Sequence, residues 1–198
     1  SIESSDRIWN AVSRKPLDEL RLSDETRDLL QRGLFVEPLP EVSRVVFIST
    51  PHRGSFLAGR PSVAKLLRRL TVLPMQFTTV STDLARNRDA ARSPFVPTAV
   101  DNMSPRSPFI RGLQEVPVAP SIGVHSIISV EAKYWSDGSF NSEQGDDGVV
   151  KYTSAHIDGV ESEVVVRSPH SCQANPNTME EVRRILRLHA ASMPGLAP

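Results

Sequence analysis

Three short strand-like runs constrain what this chain can fold into: Val45-Val46-Phe47-Ile48, Ile122 to Val130, and Val164-Val165-Val166. The first is continuously apolar and bounded by polar residues, the pattern of a strand covered on both faces in a parallel sheet. Each run opens into a polar loop marked by glycine or proline: Thr50-Pro51-His52-Arg53-Gly54-Ser55, then Asp137 to Gly148, then Ser168-Pro169-His170-Ser171. The order strand, helices, strand, strand, helix predicts an α/β fold with a mainly parallel sheet and helices on its faces. In open sheets of that kind, ligands and chemistry gather beyond the carboxyl ends of the strands. The three loops are therefore expected to converge on one site.

The helices are legible from spacing and punctuation. Leu17, Leu20 and Leu22 lead to Ser23, an N-cap for a short helix that Gly33 is placed to end. Val63, Leu66, Leu67 and Leu70 recur at i, i+3, i+4 and i+7, one face of an amphipathic helix. A second helical stretch is expected around Met75 to Leu84, after which Pro94, Pro97, Pro105 and Pro108 break the chain into short pieces. The insert from about residue 60 to 120 reads either as a cap or lid, or as an ordinary crossover helix with a long surface loop. Near the end, Asn175-Pro176 starts a last helix with Val182, Ile185, Leu186 and His189 on one side.

At 21.8 kDa, with 23 basic and 23 acidic residues, the chain has room for one core and carries no net charge. Neither nucleic acid nor an anionic membrane is implied as a partner, and Arg68-Arg69 and Arg183-Arg184 are short pairs without interleaved aromatics. No apolar run approaches the roughly 18 residues of a membrane span. Sixteen prolines and a hydrophobic fraction of 39% suit a loop-rich portion of a domain, so residues 1–198 are expected to form a single, partial domain. Cys172 is the one cysteine, which excludes an intrachain disulfide. The opening Ser1-Ile2-Glu3-Ser4 has no signal character, and the compartment stays open.

The chemistry concentrates in the last third. A histidine titrates near neutrality, so His170 could take a proton from a hydroxyl and return it to a leaving group. That role needs a carboxylate on the other ring nitrogen. Asp147, between Gly145 and Gly148 in a loop able to turn sharply, is the best candidate. Asp146 competes with it, either solvated or holding the loop, and Asp137 in Ser136-Asp137-Gly138 has a plain turn reading. His52 and Arg53 either line a pocket or tie their loop down, the structural role being preferred. His156 is expected to brace a loop near the site, His125 to sit within the sheet and His189 on the last helix. Ser55 and Ser126 lie in no nucleophile-elbow sequence, and Cys172 reads as a small buried or surface thiol. A metal reading through Asp146, Asp147, His156 and His170 finds no H-x-H, H-E-x-x-H or cysteine spacing to support it. No metal or other cofactor is expected.

Three blocks resemble a bacterial α/β-hydrolase family of lipase/esterase type. They are Val45 to Ser55, ending in Thr50-Pro51-His52-Arg53-Gly54-Ser55; Asp147-Gly148-Val149-Val150-Lys151-Tyr152 leading to Ser154-Ala155-His156; and Ser168-Pro169-His170-Ser171 with Asn175-Pro176 and the final helix. The resemblance covers the middle and end of the chain, with only general character supporting it between about 60 and 120. It implies a serine hydrolase acting on small-molecule or lipid esters, with Asp147 as catalytic acid and His170 as base. The family's G-H-S-x-G elbow stands upstream of the T-P-H-R-G-S block, and no G-x-S-x-G occurs in these 198 residues. The resemblance therefore implies that the nucleophile and both oxyanion-hole donors belong to a missing N-terminal half of the same domain, and that this chain alone forms no acyl-enzyme. The alternatives are a non-catalytic remnant or binding module that keeps half of a hydrolase sheet and, third, a metal-dependent hydrolase.

Overall fold

The computed structural model describes residues 2–35, 39–58, 76–92 and 102–192. The chain divides into two compact units: residues 1–39 with 56–118, and residues 40–55 with 119–198. The expected helix over Val63 to Leu70 lies outside the described residues, as do Pro94 and Pro97.

The first unit is helical: α1 (Ile2–Val12), α2 (Asp24–Leu34), α3 (Gln76–Arg86) and α4 (Pro108–Gln114), with α1 packed on α4. Helix α3 answers the stretch expected around Met75 to Leu84. Its core gathers Trp9, Leu20 and Ala90 with Val12, Leu17, Leu22, Leu30, Leu34 and Phe35. Ser23 caps α2, its Oγ accepting from the amide of Thr26 at 3.3 Å. The cap is itself held by Asp83, whose Oδ2 accepts from the Ser23 hydroxyl at 2.6 Å and from its amide at 2.9 Å. Gly33 does not end α2. The helix continues through it to Leu34, and Phe35 then packs on Trp9 with ring centroids 5.7 Å apart.

The second unit carries the α/β architecture. Strands β1 (Arg44–Ile48), β2 (Gly123–Val130) and β5 (Ser162–Arg167) form a three-stranded, wholly parallel sheet in the order β1-β2-β5. A small antiparallel hairpin, β3 (Trp135–Ser136) and β4 (Ser139–Phe140), interrupts the polar loop after β2. Its turn residues Asp137 and Gly138 both have positive φ, 49° and 81°, as a two-residue hairpin turn requires. The short helix α5 (Tyr152–Ala155) follows, and α6 (Pro176–Ser192) is the last helix of the described residues, started as expected at Asn175, whose Oδ1 accepts from the amide of Asn177 at 2.9 Å.

Alternation along the strands builds two faces. Ile127 and Val166 look one way, with Cys172 and, from α6, Val182. Ile128 and Val165 look the other way, onto Val149, Val150, Tyr152 and Ala155. From Val124 to Val130 β2 is buried throughout, and each fully buried Ile or Val contributes about 1.5–3 kcal/mol. Strand β1, expected to be covered on both faces, is only half-buried along its length. It pairs with β2 alone among the described residues, so one edge contributes no such cover. Leu186, expected on the apolar side of the last helix, is 60% exposed, while Thr178, Glu181 and Ile185 are buried. The buried face of α6 therefore runs through Thr178, Glu181 and Ile185, with Val182 half-buried beside it and Leu186 outside it. Glu181 is tolerated there because Arg184 and the hydroxyl of Ser162 hydrogen-bond its carboxylate.

Candidate active site at the carboxyl end of the sheet

The loop after β2 is built to present one carboxylate. The amide of Glu131 donates to the carbonyl of Asp146 at 2.8 Å, and the amide of Tyr152 to the carbonyl of Gly145 at 2.8 Å. Asp146 holds the loop from within. It accepts the Tyr134 hydroxyl on Oδ2 and the Gly148 amide, at 2.8 Å, on Oδ1. Gly145 is required by close approach, because a Cβ there would stand 2.6 Å from the carbonyl oxygen of Asn141. Gly148 is required by conformation, with a φ of 90°. That turn swings the amides of Val149 and Val150 onto Asp147 Oδ1, at 3.0 and 2.7 Å.

Asp147, 3% exposed, is thus buried at the carboxyl end of β2, where its Oδ2 has two partners. His170 Nδ1 lies 2.8 Å away, and the hydroxyl of Ser129, at the end of β2, donates to the same oxygen at 2.8 Å. The main chain repeats the link between the two loops, since the amide of His170 donates to the carbonyl of Asp147 at 2.9 Å. The histidine loop is itself tied to the sheet by the amide of Ser168, which donates to the carbonyl of Val130 at 3.0 Å. Four hydrogen bonds satisfy the buried carboxylate, the condition for keeping a charge inside a fold. The imidazole is less enclosed, with 38% of its side chain exposed, and among the described residues nothing bonds its Nε2.

The other residues singled out from the sequence fall into place around this pair. Arg53 ties its loop down: its guanidinium donates to the carbonyl of Thr153 at 3.0 Å and to that of His156, and its amide donates to Ser154. Ser154 Oγ returns a bond to the carbonyl of Gly54 at 2.6 Å, and Ser55 Oγ donates to the carbonyl of Val149 at 2.7 Å. His52 packs edge-on against Phe47 at 4.5 Å, and burial, helped by the Arg53 charge, lowers its pKa.

His156 stacks on Tyr152 and shares Glu163 with it, Nδ1 to Oε2 at 2.7 Å and hydroxyl to Oε1 at 2.7 Å. The bond to Glu163 raises the histidine's pKa, and burial with that same carboxylate pushes Tyr152 up to about 12. His156 braces α5, and no hydrogen bond joins it or His52 to the Asp147–His170 pair among the described residues. Cys172 is fully buried in the sheet core. Ser126 is likewise buried, within β2.

Sequence reasoning missed Ser129 and Ser49. Ser49 follows β1 with a φ of 48°, unusual for a residue with a side chain, and its Oγ lies 2.6 Å from that of Ser129. A serine closing an apolar strand was the available signal. A groove of about 570 Å³ runs along α6, lined by Ile48, Val182, Leu186 and Arg187 among others, and excludes both Asp147 and His170. Among the described residues no group of three or more His, Cys, Asp or Glu side chains is arranged to hold a metal ion. None of their helices is long and apolar enough to cross a membrane. No family model, no curated protein and no solved structure matches the chain.

Proposed function

We propose that Asp147 and His170 are the acid and base of a nucleophile–His–acid relay that hydrolyses carboxylic esters in the manner of an α/β-hydrolase. The observation that carries this reading is the 2.8 Å contact between Asp147 Oδ2 and His170 Nδ1, made by a buried acid to a half-exposed imidazole. A carboxylate on Nδ1 keeps the proton there and leaves Nε2 as the base. Nε2 takes the proton of an attacking hydroxyl as the hydroxyl oxygen bonds to the ester carbonyl carbon. The resulting imidazolium, stabilised by Asp147, then protonates the departing alkoxide, leaving an acyl-enzyme. Water, deprotonated by the same nitrogen, then bonds to the acyl carbon, and as the bond to the nucleophile's oxygen breaks the imidazolium returns its proton to that oxygen, releasing the acid.

The attacking serine is assigned to a G-x-S-x-G elbow outside these 198 residues, together with the oxyanion-hole donors. The parallel sheet supports this placement, since the acid and base stand at the carboxyl ends of adjacent strands, where such chemistry collects.

The test begins with the reading frame upstream of Ser1, which should encode the elbow within a few tens of residues. Protein that includes this segment is expected to hydrolyse a chromogenic ester with or without chelator and to lose the activity in His170→Ala. Activity that survives His170→Ala removes the relay. Loss of activity with chelator alone favours a metal-dependent hydrolase, and a frame without an elbow favours a binding module.

A further inference from the structure

Behind the Asp147–His170 pair runs a chain of buried side-chain donors that the relay as described does not use. Ser129 Oγ donates to Asp147 Oδ2, so its single proton is committed. The 2.6 Å contact between the Ser49 and Ser129 hydroxyls must then carry the proton of Ser49. With that proton also committed, the 3.4 Å contact between Cys172 Sγ and Ser49 Oγ can only be donated by the thiol. The amide of Ser129 adds a further donor to Ser49 Oγ at 3.3 Å. Every bond in this sequence points the same way, from Cys172 through Ser49 and Ser129 into one carboxylate oxygen. All three side chains are buried, and Ser49 holds its place with left-handed backbone geometry. Aligned hydrogen bonds polarise one another, so each donor strengthens the next.

The geometry points to Ser129 as a positioning residue for the catalytic pair, with Ser49 and Cys172 as donors behind it, setting how strongly Asp147 grips His170. Oδ1 is occupied by two backbone amides, so Oδ2 is the oxygen on which imidazole and serine compete. A donor from Ser129 withdraws electron density from the oxygen that receives the imidazole proton. It also prevents the carboxylate from rotating away from the ring. Asp147 is the one titratable side chain that hydrogen-bonds the imidazole among the described residues, and Cys172 the one that ends the donor chain. The catalytic meaning of this assignment rests on the proposed relay; the hydrogen-bond chain itself does not.

The experiment reads the Nδ1–H proton resonance of His170 in the isotopically labelled full chain, which needs no substrate and no nucleophile. Ser129→Ala is expected to move that resonance downfield, because the imidazole then holds Oδ2 alone and its bond strengthens. Ser49→Ala, which touches neither Asp147 nor His170, is expected to move it the same way by less. Ser126→Ala, which removes a buried hydroxyl of the same strand outside the chain of donors, should leave it in place. An unmoved resonance in folded Ser129→Ala overturns the assignment. Should that variant fail to fold, an unmoved resonance in Ser49→Ala does so, and an equal displacement in Ser126→Ala does so by showing a packing effect. The expected displacements in a protein whose parent hydrolyses no ester would remove the proposed function and leave the positioning role standing.

Discussion

The two ends of the parallel sheet each hold a histidine in a polar network, and they treat it in opposite ways. At the amino end, His125 is 1% exposed and both ring nitrogens are engaged, Nδ1 by the Ser162 hydroxyl at 2.7 Å and Nε2 by the Arg44 guanidinium. Arg44 is paired in turn with Glu161 at 2.7 Å, and Ser162 with Glu181 at 2.8 Å. Burial, reinforced by the Arg44 charge, lowers the pKa of His125. At the carboxyl end, His170 has one nitrogen on a buried carboxylate and the other without a partner among the described residues. A closed network holds a fold together, whereas catalysis by proton transfer needs a nitrogen left available beside a group that compensates the charge. The contrast agrees with their places in the sequence, His125 within a strand run and His170 in a loop after one.

The largest expected effect tests the open end. In protein supplied with its nucleophile, His170→Ala and Asp147→Asn are each expected to lower kcat by about 10³–10⁴-fold with KM little changed, measured by steady-state ester hydrolysis. A loss of KM alone would move the pair from chemistry to binding. The closed end should answer differently. His125→Ala removes a fully enclosed ring and its hydrogen bonds to Ser162 and Arg44, costing about 2–4 kcal/mol in urea unfolding, while the activity of the folded fraction stays near wild type. An equal activity loss at both ends would erase the distinction.

Acidity sharpens the comparison further, because two histidines of the same unit have shifts of opposite sign. His125 has a lowered folded pKa, so its contribution to stability is present above the ordinary value of 6.5 and is lost as pH falls through the folded value. His156 has a raised folded pKa, so its contribution is present below 6.5 and is lost as pH rises through the folded value. Urea midpoints taken between pH 5 and 8 should therefore lose their acid-side decline in His125→Gln and their alkaline-side decline in His156→Gln. The smallest effect concerns the loop that presents the acid. Gly148→Ala meets no close atom but imposes a side chain at φ 90°, and should cost about 1 kcal/mol in thermal unfolding.

Much of this arrangement was legible before any coordinates. The three strands and the caps at Ser23 and Asn175 follow from short-range rules, apolar runs and punctuation by glycine and proline. The need for a carboxylate beside His170 left Asp147 the best of three candidates with Asp146 and Asp137, and it is Asp147 that meets the ring. Local pattern failed where a distant contact took over. Leu186 fits the apolar stripe by spacing, yet the register of α6 is decided by the burial of Thr178, Glu181 and Ile185. The turn at Asp137-Gly138 reads as one from the sequence, but the two-residue strands on either side of it and the helical turn at Tyr152 are too short to produce a period.

What the sequence by itself determined is which residue types stand at the strand ends, because hydrophobic periodicity and turn chemistry act over a few neighbours. Only the tertiary structure decided that Ser49, Ser129 and Asp147 share one buried line of hydrogen bonds. Their side chains come from the ends of two strands separated by a long insert and from a third loop. Parallel pairing, which sets Ile48 of β1 beside Ile127 of β2 and Val130 of β2 beside Arg167 of β5, is the long-range interaction that assembles them, and no local pattern along the chain records it.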